Sequence, residues 1–133
     1  MPSNSDLIPE GLMVRVAEHL RILGQPVRLR LVELLTDGPS TPQELSDALG
    51  LSQQNVSKHL LSLHRAGVVS RRPDGANVFY ALTDRSAVTI LRLSVDAVSD
   101  HLRDLAKLAS DAPADESGDD GAIRRPAVDR GAQ

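Results

Sequence analysis

Two helix-start signals set only eleven residues apart constrain this chain more than any other feature. Thr41-Pro42-Gln43-Glu44 is a capping box with proline at the first helical position. Ser52 can cap a helix again, after Gly50 and the single residue Leu51. Between the two lies room for one short helix with Leu45, Ala48 and Leu49 as its apolar positions, ended by Gly50. The helix that follows carries Val56, Leu60 and Leu63 at helical spacing and stops at Gly67. The outcome is two short helices joined by a tight turn.

The neighbouring segments fit around that pair. From about Pro9 to Leu23 the residues Met13, Val16, Leu20 and Leu23 recur at intervals of three and four, a helical stripe that Gly24 closes. Pro26 opens a further helix through about Thr36, with Leu31, Leu34 and Leu35 to bury, and Asp37-Gly38-Pro39 stops it. Val68 to Arg72 and Val78 to Leu82 are β-prone runs joined by residues 73–77, which predicts a hairpin with Val78, Tyr80 and Leu82 on one face. A last helix runs from about Asp84 to Ala109. Along it Val88, Leu91, Val95, Val98, Leu102, Leu105 and Ala109 form a strict heptad seam, which needs another helix to cover it. The predicted class is mainly α (α+β), in the order helix, helix, helix, helix, hairpin, helix.

The 133 residues suit one domain, placed at residues 9–110. Residues 1–8 have little to anchor them and are expected to be flexible. Residues 111–133 hold six acids and three arginines and almost no large apolar side chain, so an acidic disordered tail is expected there. Net charge is −3, yet the stretch Leu51 to Arg72 contains Lys58, Arg65, Arg71 and Arg72 and no acid. A basic patch on a nearly neutral body fits a polyanion, and also fits a solvated helix face.

Position on the helix decides between those two. At about 100° per residue, with Val56, Leu60 and Leu63 inward, the residues Gln54, Ser57, Lys58, Leu61, Ser62 and Arg65 face outward. Gln53, Gln54 and Asn55 near the helix start offer amides suited to adenine, and the helix N-terminus itself favours phosphate. With a basic hairpin following, the arrangement is a winged helix-turn-helix. The expected partner is double-stranded DNA with an imperfect inverted repeat. Ser52, Gln53, Gln54, Asn55, Ser57 and Lys58 read or position it, and Arg28, Arg65, Arg71 and Arg72 hold phosphate.

The segments Leu23 to Leu31, Glu44 to Leu60, Leu63 to Val69 and Phe79 to Leu82 resemble the ArsR/SmtB family of bacterial repressors, over about Leu20 to Leu82. Most specific is the run of the fourth helix, Ser52-Gln53-Gln54-Asn55-Val56-Ser57-Lys58-His59-Leu60. The resemblance implies a homodimeric repressor that leaves its operator when an effector binds, with Ser57 and His59 among the DNA contacts. It also implies a dimer built from the first and last helices, with Met13, Val16, Leu20, Val88, Leu91, Val95, Val98, Leu102 and Leu105 as interface residues. The wheel sets His59 about 60° from the centre of the apolar face, so packing and DNA contact both stay open.

Two positions depart from the family pattern. Relatives usually carry Arg just after the wing glycine, whereas Gly75 is followed by Ala76 and Asn77, leaving Arg71 and Arg72 as the wing's cations. Leu61 faces outward, where it can meet a thymine methyl or simply be tolerated in solvent.

The effector is narrowed by what the chain lacks. With no cysteine there is no thiolate metal site, thiol switch or cysteine nucleophile. The zinc-type pattern of relatives' last helix falls here on Asp84, Ser86, Ala97 and Asp100, so both leading imidazoles are missing. No metal or cofactor is therefore expected. The alternative is a site rebuilt from His101 with Asp100 or Asp104, joined by His19. A small organic effector between the terminal helices, or none, stays open. The enzyme motifs Gly-x-Gly-x-x-Gly, P-loop, His-Glu-x-x-His and nucleophile elbow are absent, so no catalysis is expected. A helical protein-interaction module is the rival reading, and it has no need of an acid-free stretch at 51–72. No apolar run is long enough to span a membrane, and Met1 to Glu10 lacks signal-peptide blocks, so a cytoplasmic protein is expected.

Overall fold

A computed structural model describes residues 3–111. The elements are α1 (Glu10–Leu23), α2 (Pro26–Leu35), α3 (Pro42–Leu49), α4 (Gln53–Arg65), β1 (Val69–Asp74), β2 (Asn77–Leu82) and α5 (Ser86–Asp111), preceded by a 3-10 turn at Asn4–Asp6. The expected order of helices and hairpin is present. Of the expected tail, residues 112–133 lie outside the described residues, as do residues 1 and 2. In the segment for which the sequence offered no anchor, the exposed turn at Asn4–Asp6 is held by Asp6 and Ser3. The chain divides at Val98, and the described part of its second unit is the remainder of α5 from Ser99.

Both N-caps read from the sequence form, but the capping box at Thr41 is only half made, because the Glu44 carboxylate accepts from the Thr41 hydroxyl at 3.2 Å and not from the Thr41 backbone N–H. Thr41 Oγ1 accepts from the Glu44 backbone N–H at 3.2 Å, and Ser52 Oγ accepts from that of Asn55 at 3.1 Å. Gly50 closes α3 in the left-handed conformation, with φ of 66°, and the next N–H, from Leu51, reaches back to the Ser46 carbonyl at 3.2 Å. A side chain at position 50 would strain that closure, and with it the angle between α3 and α4.

The core gathers Leu31, Val32 and Leu35 of α2, Leu45 of α3, and Val56, Leu60 and Leu63 of α4, with Leu23, Val68, Val69, Tyr80, Ala87 and Val88 around them. Two inward positions differ from the sequence expectation. Val32 is fully buried while Leu34 is only partly so. In α3 Ser46 is buried and Ala48 exposed, because α3 turns Leu45 and Ser46 toward α4 and the Ser46 hydroxyl can donate to the Gln43 carbonyl at 2.9 Å.

The strands are longer than their β-prone runs. They extend through Pro73 and Asp74 to a two-residue turn, in the register Val69↔Leu82 to Asp74↔Asn77. Gly75, with φ of 62°, supplies the left-handed residue such a turn needs. Pro73 is tolerated because β1 is an edge strand. On its other side β2 meets Ser40, which exchanges both backbone hydrogen bonds with Tyr80 at 2.9 and 2.8 Å. This bridge ties the loop before α3 to the hairpin.

Candidate nucleic-acid interface

The apolar stripe of α4 is wholly buried, which turns the opposite side outward. Gln53, Gln54, Asn55, Ser57, Lys58, Leu61 and Arg65 are all exposed. Ser62, expected outward, is half-buried and returns its hydroxyl to the Lys58 carbonyl at 3.3 Å. Ser52 is exposed but its Oγ is occupied as the helix cap. That leaves the backbone N–H groups of Gln53 and Gln54 without a protein acceptor among the described residues, at the positive end of the helix dipole.

Among the described residues three ion pairs occur, Arg21 with Glu18, Arg30 with Glu33 and Arg103 with Asp100, each within one helix. None involves Lys58, Arg65, Arg71 or Arg72. These four cations therefore face solvent without a carboxylate to neutralise them, which is the electrostatic condition for holding phosphate.

The wing arginines leave β1 on opposite faces. Neighbouring residues of a strand point to opposite faces. Arg72 lies opposite Phe79 and Arg71 opposite Tyr80, whose ring belongs to the core. Arg72 shares its face with Ser70 and Phe79, and these line a small cleft with Pro39.

Arg28 and His59, expected to contact phosphate and DNA, are first of all bonded to each other. Arg28 Nε donates to His59 Nδ1 at 3.2 Å, and Arg28 Nη1 donates to the Ile22 carbonyl at 3.0 Å. Both side chains are half-buried, and the bonds join α2 to α4 and to the end of α1. Burial, then the charges of Arg28 and Lys58, pushes the His59 imidazole below its ordinary range. Sequence reasoning missed this contact because the partners are 31 residues apart. The only signal was His59's position at the border of the apolar face.

The expected interface residues divide in two. Met13, Val16 and Leu20 of α1, and Val95, Val98, Leu102 and Leu105 of α5, are exposed. Val88 is 4% exposed and belongs to the protomer's own core, so it is corrected out of the interface set. Leu91 is half-buried against the same core. Ala87 and Val88, in the first turn of α5, join the buried cluster of Leu31, Leu35 and Tyr80, and a heptad count alone cannot tell that internal contact from an external one.

The positions that correspond to a metal site are otherwise engaged. Hydrogen bonds from Ser86, including its backbone N–H at 2.8 Å, hold the Asp84 carboxyl below the usual carboxylate range, and His19 nearby adds to the effect. Asp100 pairs with Arg103. Among the described residues no three His, Asp or Glu side chains come together as a metal site. Nor, among them, is any helix long and apolar enough to cross a membrane.

A buried stripe behind a polar, cationic helix, flanked by a hairpin, defines a winged helix-turn-helix DNA-binding protein. A helix-turn-helix domain family matches residues 23–72, and the transcriptional regulator KmtR of Mycobacterium tuberculosis is 31% identical over 96 residues, 72% of each chain. The chain belongs to the ArsR/SmtB family of winged helix-turn-helix transcriptional regulators. The repressor SmtB of M. tuberculosis is 37% identical over 91 residues, spanning 68% of this chain and 65% of the relative. The crystal structure of M. tuberculosis Rv0081 is similar with a TM-score of 0.66 at 31% identity, covering 74% of this chain and 99% of that one.

Proposed function

We propose that this chain is a cytoplasmic homodimeric repressor, acting by binding and not by catalysis. Residues 9–110 carry its DNA-binding and dimerisation functions. The two copies pair along α1 and α5, through Met13, Val16, Leu20, Val95, Val98, Leu102 and Leu105. Their α4 helices then enter successive major grooves, roughly 34 Å apart, on an imperfect inverted repeat. One observation carries the reading: apart from Leu61, the exposed face of α4 is built of amides, hydroxyls and unpaired cations, with no acid from Leu51 to Arg72. Gln54 and its neighbours read base edges, while Lys58, Arg65, Arg71 and Arg72 hold phosphate.

Selection of bound sites from genomic DNA, followed by titration at graded salt, tests this. Gln54→Ala should cost about 1–3 kcal/mol at one base pair, and Arg72→Ala should weaken all sequences alike and lower the salt slope by about one. If both variants bind like the wild type, α4 and the hairpin are not the docking surface.

Release from DNA runs through an effector that is not sensed by cysteine, since the chain has none. A specific observation favours a small organic molecule. A groove of about 320 Å³ between α2 and α5 has an apolar floor of Val88, Leu91 and Val95 and a rim of Glu33, Arg92 and Asp96.

A further inference from the structure

The Arg28–His59 contact determines more than packing. An arginine only donates, so the ring nitrogen that faces it, Nδ1, must carry the lone pair, and the neutral ring then holds its proton on Nε2. The charged groups that face the ring are Arg28 from α2 and Lys58 from α4 itself. Neither Arg28 nor His59 has an ion-pair partner among the described residues. Two cations and partial burial all oppose a third positive charge, which keeps the ring neutral at pH 7. Nε2 has no protein partner, and among the described residues no buried side-chain nitrogen or oxygen lacks one, so Nε2 opens to solvent.

We propose that Arg28 is a positioning residue for DNA docking: it holds the His59 imidazole with Nδ1 inward and Nε2–H outward, as an uncharged donor to a DNA phosphate. The inference rests on the docking reading above. Phosphate is the acceptor because His59 lies at the border of the outward face of α4. The centre of that face meets base edges, whereas its borders meet the groove walls, which are backbone. The same guanidinium holds the Ile22 carbonyl, so the donor is placed relative to α1, the helix assigned to dimerisation. Lysine cannot replace it, because a single ammonium lacks the fork that serves both acceptors.

Side-chain ¹⁵N NMR of the full chain at neutral pH, combined with DNA titration, tests the proposal. His59→Asn identifies the ring signals by their loss, and it keeps an acceptor for Arg28 while removing the Nε2–H at the far end of the ring, which the shorter amide does not reach. The wild-type ring should be neutral and protonated at Nε2, and Arg28→Lys should shift it toward the mixed, more basic state of a free imidazole. Each of Arg28→Lys and His59→Asn should weaken operator binding about tenfold, the size of one hydrogen bond to a charged oxygen. The salt slope should stay unchanged, and the double variant should lose no more than either single one. A charged or Nδ1-protonated wild-type ring overturns the inference, and so does a roughly hundredfold loss in the double variant. Failure of the wild-type chain to bind any DNA at low salt breaks the docking reading itself. Wild-type binding with additive losses breaks only the coupling of Arg28 to His59.

Discussion

α4 and α5 are both amphipathic helices, but they dispose of their apolar faces in opposite ways. In α4 the residues Val56, Leu60 and Leu63 are fully buried within the protomer. In α5 only Ala87 and Val88 are buried, while Val95, Val98 and Leu102 are 52%, 58% and 59% exposed. A stripe satisfied at home frees the other face of its helix for a ligand. A stripe left bare favours a second chain as its cover, because exposed apolar surface on that scale is costly in water. On the docking reading proposed above, burial thus separates the helix offered to DNA from the helix offered to a second copy.

The largest expected effect comes from the bare stripe. Val98→Asp should give monomers by light scattering and cut operator affinity about a hundredfold or more, since two linked half-sites become one. Val98 is a better probe than Leu91, whose half-burial against the core mixes folding with assembly. A Val98→Asp protein that stays dimeric would move the interface off this seam. Next in size, Leu60→Ala should destabilise the protomer by about 2–5 kcal/mol in denaturant titrations. The matching change Leu102→Ala, at an exposed site, should cost less than about 0.5 kcal/mol in a monomeric background. Equal losses at the two positions would erase the distinction between the helices.

The smallest effect concerns pH. The His59 imidazole is held below its ordinary value of about 6.5, so the folded chain takes up a proton less readily than the unfolded one. Its contribution to stability is full above that value and is lost as pH falls toward the lowered one. Denaturant midpoints should therefore drop as the pH is lowered through about 6.5, and His59→Asn should flatten the change. The drop is small because the ring is only half-buried and solvent screens it. A midpoint that rises on acidification would mean that His59 gains, not loses, from its proton.

Much of the site was legible in the sequence because it depends on local rules. The N-caps at Thr41 and Ser52, the closure at Gly50 and the spacing of Val56, Leu60 and Leu63 each involve residues within one or two turns. Those rules are enough to order the elements and to show which side of α4 is polar. The wing was less legible, since strand length and the split between Arg71 and Arg72 depend on cross-strand register.

By itself, then, the sequence determined the helix-turn-helix punctuation, the hairpin, the acid-free face and the exclusion of any thiolate chemistry. The tertiary structure alone decided that Val88 belongs to the core, that Ser46 and not Ala48 turns inward, that Ser40 bridges to Tyr80, and that Arg28 grips His59. The reason is physical. Caps and periodicity act over a few residues and leave their mark in spacing. A contact between residues tens of positions apart depends on how whole elements pack, and no local pattern records it.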